Sequence, residues 1–152
     1  MKKFKYSLQN VLQYKDEILD TEKGEYAARM AAVNQQKNRI DDLVKEQDDL
    51  SEEFDEVKRG STCITDFQIF SGLLDSLERQ IEEEQKKLVK LEKHAEEQKK
   101  VVIAANVDVK KFEKLKERKL QDFQKAEQKD NEAFVEEFVM HGTAVENQLK
   151  RM

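Results

Sequence analysis

The side chains able to make or break bonds are few here, and their spacing keeps them apart. The two histidines are His94 and His141. A helical bundle that holds two metal ions repeats Glu-x-x-His, because residues three apart share a helix face. Leu91 stands three before His94 and Phe138 three before His141, so that motif is absent. Cys63 is the only cysteine. A Cys–His nucleophile needs the two side chains in contact, and Cys63 and His141 are expected at opposite ends of the molecule. Gly24, Gly60, Gly72 and Gly142 are too scattered to form a phosphate-cradling loop. Carboxylates abound, but on solvated helix faces nothing shifts their pKa toward acid–base work. No catalytic residue, metal ligand or cofactor is expected. Function then rests on what the surfaces bind.

The elements behind those surfaces are legible in the apolar spacing. Leu12, Leu19, Tyr26, Val33, Ile40 and Phe54 recur every seventh position, with Gln47 in the same register. A second series runs Leu74, Ile81, Leu88, Ala95, Val102 and Val109, then Phe123 after Lys116. The chain has no proline, so no kink is forced on a long helix. Two such stripes are buried by folding one onto the other. The expected fold is all-α: a long antiparallel two-helix coiled-coil hairpin in one domain spanning residues 1–152.

Helix one is predicted over about 7–58. Gly60 is a stop signal, preceded by Lys58 and Arg59 at the negative end of the helix dipole. The turn falls near 59–64, around Gly60-Ser61-Thr62. Thr65 with Gln68 reads as a capping box. Helix two is predicted over about 65–141, with Ser71-Gly72 dividing or kinking it near its start and Gly142 ending it. Residues 143–152 are expected to fray. In this register Phe54 falls near Phe70, Ile40 near Glu84 and Leu12 near Phe112. Helix one is then used up near residue 119, and residues 120–141 overhang. They carry Phe123, Phe134, Val135, Phe138 and Val139, and a lone helix is marginal in water. That stripe needs another surface.

Charge is sorted along the hairpin. Residues 41–56 hold nine acids against Lys45, a net of −8. Residues 110–119 hold six bases against Glu113 and Glu117, a net of +4, and lie beside Lys2, Lys3 and Lys5. Apolar residues are crowded near the turn: Ile64, Phe67, Ile69, Phe70, Leu73, Leu74, Leu77 and Ile81. A coiled-coil seam needs about two of every seven, so Phe67, Phe70 and Leu73 are surplus. They either cap the hairpin's own end or form an exposed patch of the kind that binds protein.

Charged residues make up 40% of the chain and hydrophobic ones 38%, which suits long helices better than a globule. The net charge of −5 gives no general attraction to nucleic acid or anionic lipid. Phe112 is the only aromatic in the basic segment and sits on the seam, so base-stacking platforms are missing. A lone cysteine fits a reducing cytoplasm. No apolar run follows the basic start Met1–Tyr6, so neither a signal peptide nor a spanning segment is expected.

The opening Phe4-Lys-Tyr-Ser-Leu-Gln-Asn-Val-Leu-Gln-Tyr-Lys15 resembles the start of the FliJ family of the bacterial flagellar export apparatus, an aromatic-Leu-Gln signature running into a long helix. Phe112-Glu-Lys-Leu-Lys-Glu-Arg-Lys-Leu-Gln-Asp-Phe123 is similar to the family's basic helix, and Asp130-Asn-Glu132 follows it. The resemblance covers nearly the whole chain. It implies a non-enzymatic stalk of the type III export machine, shaped like the central subunit of rotary ATPases. The implied partners are the hexameric export ATPase, the export-gate membrane protein and export chaperones, with no nucleic acid and no membrane insertion. The implied location is cytoplasmic, peripheral to the inner face of the cell membrane. The gate-binding face would fall on Leu50, Phe54, Phe67, Phe70, Leu73 and Leu77, with Gln80 and Glu84 as polar members of the same stripe. The ATPase-binding face would fall on Lys110, Lys111, Lys114, Lys116, Arg118, Lys119, Phe123, Phe134 and Phe138. Rival readings are the equivalent stalk of a virulence secretion system and a homodimeric structural coiled coil.

Overall fold

The computed structural model describes residues 2–60 and 63–151. The fold is all-α, with two long helices packed as an antiparallel hairpin. Helix α1 spans Gln9–Arg59 and α2 spans Ile64–Arg151. The turn expected around Gly60-Ser61-Thr62 has Ser61 and Thr62 outside the described residues. Gly60 ends α1 with its N–H donating to the Val57 carbonyl at 3.2 Å, and no described glycine has a positive φ. The helix therefore stops without the left-handed glycine cap that its sequence suggests.

Three local expectations are corrected. No break occurs at Ser71-Gly72, because α2 runs through it. The start of α2 is capped by Cys63, whose carbonyl accepts the Phe67 N–H at 3.2 Å. Thr65 lies inside the first turn, so the capping box with Gln68 does not form. At the far end α2 continues through Gly142 to Arg151, so helix two does not end at 141 and residues 143–151 are helical. Glycine in a helix costs only about 1 kcal/mol against alanine. Ala144, Val145, Glu146, Gln148 and Leu149 can carry the helix past it. The Thr143 hydroxyl donates to the Val139 carbonyl at 2.9 Å, and Lys150 lies 3.9 Å from Glu146 one turn earlier.

Contacts divide the chain into two compact units, Ile18–Ala105 and Met1–Glu17 with Asn106–Met152. In the first, Leu19, Val33, Ile40 and Phe54 of α1 are buried with Leu77, Ile81 and Ala95 of α2. Each belongs to the seven-residue stripes or lies one turn away, as an antiparallel coiled coil requires. In the second, Leu12 and Val109 are buried, and Lys15 lies 3.9 Å from Asp108.

Candidate functional site

Near the connection, the surplus aromatics gather around one ring. Phe54 is buried. Phe67 packs on it tilted, with centroids 5.1 Å apart, and Phe70 stacks at 5.3 Å. Lys58 Nζ sits 4.0 Å from the centre of the Phe54 ring, a cation–π contact. Leu77 is buried, while Leu50 and Phe70 are half-buried. What remains for a partner is the outer layer: Ile64, Ile69, Leu73 at 49% exposure and Phe67 at 48%. Of the two alternatives for this cluster, both hold in part. Phe67 and Phe70 cap Phe54, and an apolar rim stays in water.

In the other unit the basic segment lies on α2. Lys110, Lys111, Lys114, Arg118 and Lys119 are exposed, and Lys116 is half-buried. Residues 2–6 precede α1 without helical structure and lie against α2. Phe4 packs on Phe123 with centroids 5.7 Å apart, and the Tyr6 hydroxyl donates to the Phe112 carbonyl at 3.1 Å. Phe123 is thus half-covered by its own chain, and the bare stretch starts after Glu127 rather than at residue 120. From there every described residue is exposed. Phe134 is 69% and Phe138 72% accessible, and Val145 and Leu149 extend the stripe. Residues 127, 134, 138, 141, 145 and 149 keep steps of three, four or seven. The face buried earlier in α2 therefore continues uncovered.

The seam itself holds polar residues that reading for apolar periodicity missed. Glu84 and Gln98 are buried. Gln36 Nε2 donates to the Glu84 carboxylate and, at 2.9 Å, to the Glu84 main-chain carbonyl. Gln98 Nε2 does the same to Glu22, reaching its carbonyl at 3.1 Å. Arg39 and Lys87 approach Glu84 at 3.5 and 3.2 Å. The Gln36 hydrogen bond, helped by that of Lys87 and by the nearby cations, holds the Glu84 carboxyl below the usual range against the pull of burial. This corrects the expectation that the carboxylates sit only on solvated faces. The signal was present: Glu22, Arg29 and Gln36 repeat at seven on α1, and Glu84 and Gln98 fall in the α2 register. Among the described residues no buried side-chain polar atom lacks a partner.

The candidate chemical residues stand apart. His94 and His141 are exposed. Cys63 is exposed, and its thiol is pulled below the usual range by the Thr65 hydroxyl and the N–H groups of Thr65 and Asp66. That is the environment of a helix N-terminus. Among the described residues no group of three or more His, Cys, Asp or Glu is placed to hold a metal ion, and no helix is long and apolar enough to cross a membrane. The geometry offers two apolar faces and a basic one.

No curated protein and no solved structure matches this chain. A family profile does: the one described as flagellar FliJ protein matches residues 4–148. The match takes in the aromatic start, both helices and most of the bare stretch of α2, and the chain belongs to the FliJ family of flagellar export proteins.

Proposed function

We propose that this protein is a non-enzymatic stalk that couples the hexameric export ATPase to the export gate and escorts export chaperones. The observation that carries the reading is the uncovered apolar stripe of α2 around Phe134 and Phe138. An amphipathic helix leaves such a face open when a second protein covers it. The basic residues Lys110, Lys111, Lys114, Lys116, Arg118 and Lys119, together with Phe123, Phe134 and Phe138, are assigned to the ATPase. An acidic ring lining would steer and hold them. Leu50, Phe54, Phe67, Phe70, Leu73 and Leu77 are assigned to the gate, with Phe67 and Leu73 making contact and Phe54 and Leu77 shaping the patch from beneath. The mechanism is differential contact: the stalk favours one state of ring or gate by binding it better. The protein works in the cytoplasm at the inner face of the cell membrane.

Stimulation of the purified ATPase tests this. Replacing Lys110, Lys111, Lys114 and Lys116 with Glu should abolish stimulation, and Phe134→Ala with Phe138→Ala should weaken it. Unchanged stimulation in both would refute the ring assignment. The same bare stripe favours one other reading, a homodimer with the stripe buried between copies. Mass in dilute solution separates the two, since the stalk is monomeric.

A further inference from the structure

The segment before α1 lies on the face that the ring reading assigns to the ATPase. Residues 2–6 are non-helical, and Ser7 and Leu8 form a turn into α1, closed by the Gln9 N–H donating to the Tyr6 carbonyl at 3.1 Å. Among the described residues, contacts of two different kinds join the segment to α2. Phe4 covers part of Phe123, and Tyr6 donates to the Phe112 main-chain carbonyl. That carbonyl lies inside a continuous helix, so it has a helical partner whether or not Tyr6 is there. Losing the Tyr6 bond therefore strands no buried acceptor. Lys2, Lys3 and Lys5 are exposed. They share shallow concavities with Asp122, Glu127 and Asp130, and Lys3 and Lys5 also face Lys119, so the attraction of opposite charges is opposed by a like charge and is weakened further by salt. Phe4 and Tyr6 are only half-buried, as in segments that open locally without global unfolding.

The position of Phe4 gives this weak attachment a consequence. Phe123 belongs to the same helical stripe as Phe134 and Phe138, and it is the one of the three that the chain itself covers. A partner seated on Phe134 and Phe138 that extends along the stripe meets Phe4 next. We propose that residues 2–6 are a displaceable cover, competing with the ATPase for Phe123, so that full engagement of the stripe requires the segment to swing away. This rests on the ring reading above and adds regulation to it. Apparent affinity is reduced by the fraction of molecules in which the cover is closed. A cover closed in nine molecules of ten weakens binding about tenfold.

The test uses the full chain with Cys63→Ser and the cognate hexameric ATPase as probe. Lys3→Cys with Asp122→Cys, two exposed positions around one concavity outside the aromatic contact, allow the segment to be tethered shut by a short bis-maleimide. Tethered protein should bind the hexamer more than about tenfold more weakly than singly modified controls, because the tether removes the open tenth as well, and Phe4→Ala should bind up to about tenfold more tightly than the parent. Equal binding by tethered and untethered protein overturns the cover. So does weaker binding by Phe4→Ala, because Phe4 would then belong to the binding surface. If the parent itself fails to bind, the ring reading falls and the cover with it. That result is distinct from a parent that binds and ignores the tether.

Discussion

The Gln36 amide closes on both the carboxylate and the main-chain carbonyl of Glu84 across the two helices. Gln98 and Glu22 repeat the clamp with roles exchanged, two heptads on in α2 (84 to 98) and two heptads back in α1 (36 to 22). Each clamp needs an amide to donate, so neither tolerates two carboxylates.

The clamp makes stability depend on pH in a defined direction. Glu84 has its native pKa lowered chiefly by the Gln36 bond. A group lowered in the folded state contributes stability above its unfolded value and loses it as pH falls through its native value. Urea midpoints measured from about pH 7 to about pH 3 should fall at the acid end in the wild type. In Gln36→Leu the midpoint should be lower at neutral pH, and the gap to wild type should narrow in acid. A gap that widens in acid would reverse the assigned sign.

Burial and exposure predict opposite responses to truncation along α1 and α2. Val33 is 2% exposed, so Val33→Ala should lower stability by about 2 kcal/mol through lost contacts and the cavity left behind. Phe134 buries little in the free chain, and Phe134→Ala should stay within about 0.5 kcal/mol of wild type. Equilibrium urea unfolding of both variants is the check. A large loss at Phe134 would mean that a second copy already covers it.

The cluster near the connection separates in the same way. Phe54→Ala removes the ring on which Phe67, Phe70 and Lys58 converge, and should cost about 3–4 kcal/mol. Leu73→Ala, at a half-exposed site, should cost under about 1 kcal/mol. Gate binding is therefore best read at Leu73 and Phe67, because loss of binding in Phe54→Ala would mix unfolding with contact. Thermal melts run beside the binding assay tell the two apart.

How much of this was legible follows from what each signal measures. Seven-residue spacing reports burial on a helix, and it placed Leu19, Val33, Ile40, Ile81 and Ala95 correctly and brought Phe54 against Phe70. It reports nothing about polar seam residues, whose burial depends on a partner on the other helix. Glu84 is legible as a polar member of the stripe, but its burial in the seam is not. Glycine alone is a weak stop signal: Gly72 and Gly142 stay helical because their neighbours supply enough propensity. The cover over Phe123 was out of reach, because Phe4 and Phe123 are far apart in sequence and residues 2–6 have no period to reveal where they lie. The basic run Lys110 to Lys119 and the apolar surplus from Leu50 to Leu77 are legible as surfaces, while the partners proposed for them come from the family resemblance.

Gly142 offers a direct test of the helical end of α2. Its φ is not positive, and a Cβ added there would meet nothing within 4 Å. Alanine at this site should add helix propensity without strain, about 0.5–1 kcal/mol. The gain should be local, because residues 131–151 are exposed and lack tertiary support. Amide exchange at residues 143–149 should slow by roughly twofold to fivefold in Gly142→Ala, with the urea midpoint of the whole chain unmoved. The slowing should also carry backward across Phe138, since a helix is cooperative over neighbouring turns. If exchange beyond Gly142 does not change, the segment does not propagate helix through that position, and the stripe presented to a partner ends at Met140 instead of reaching Val145 and Leu149.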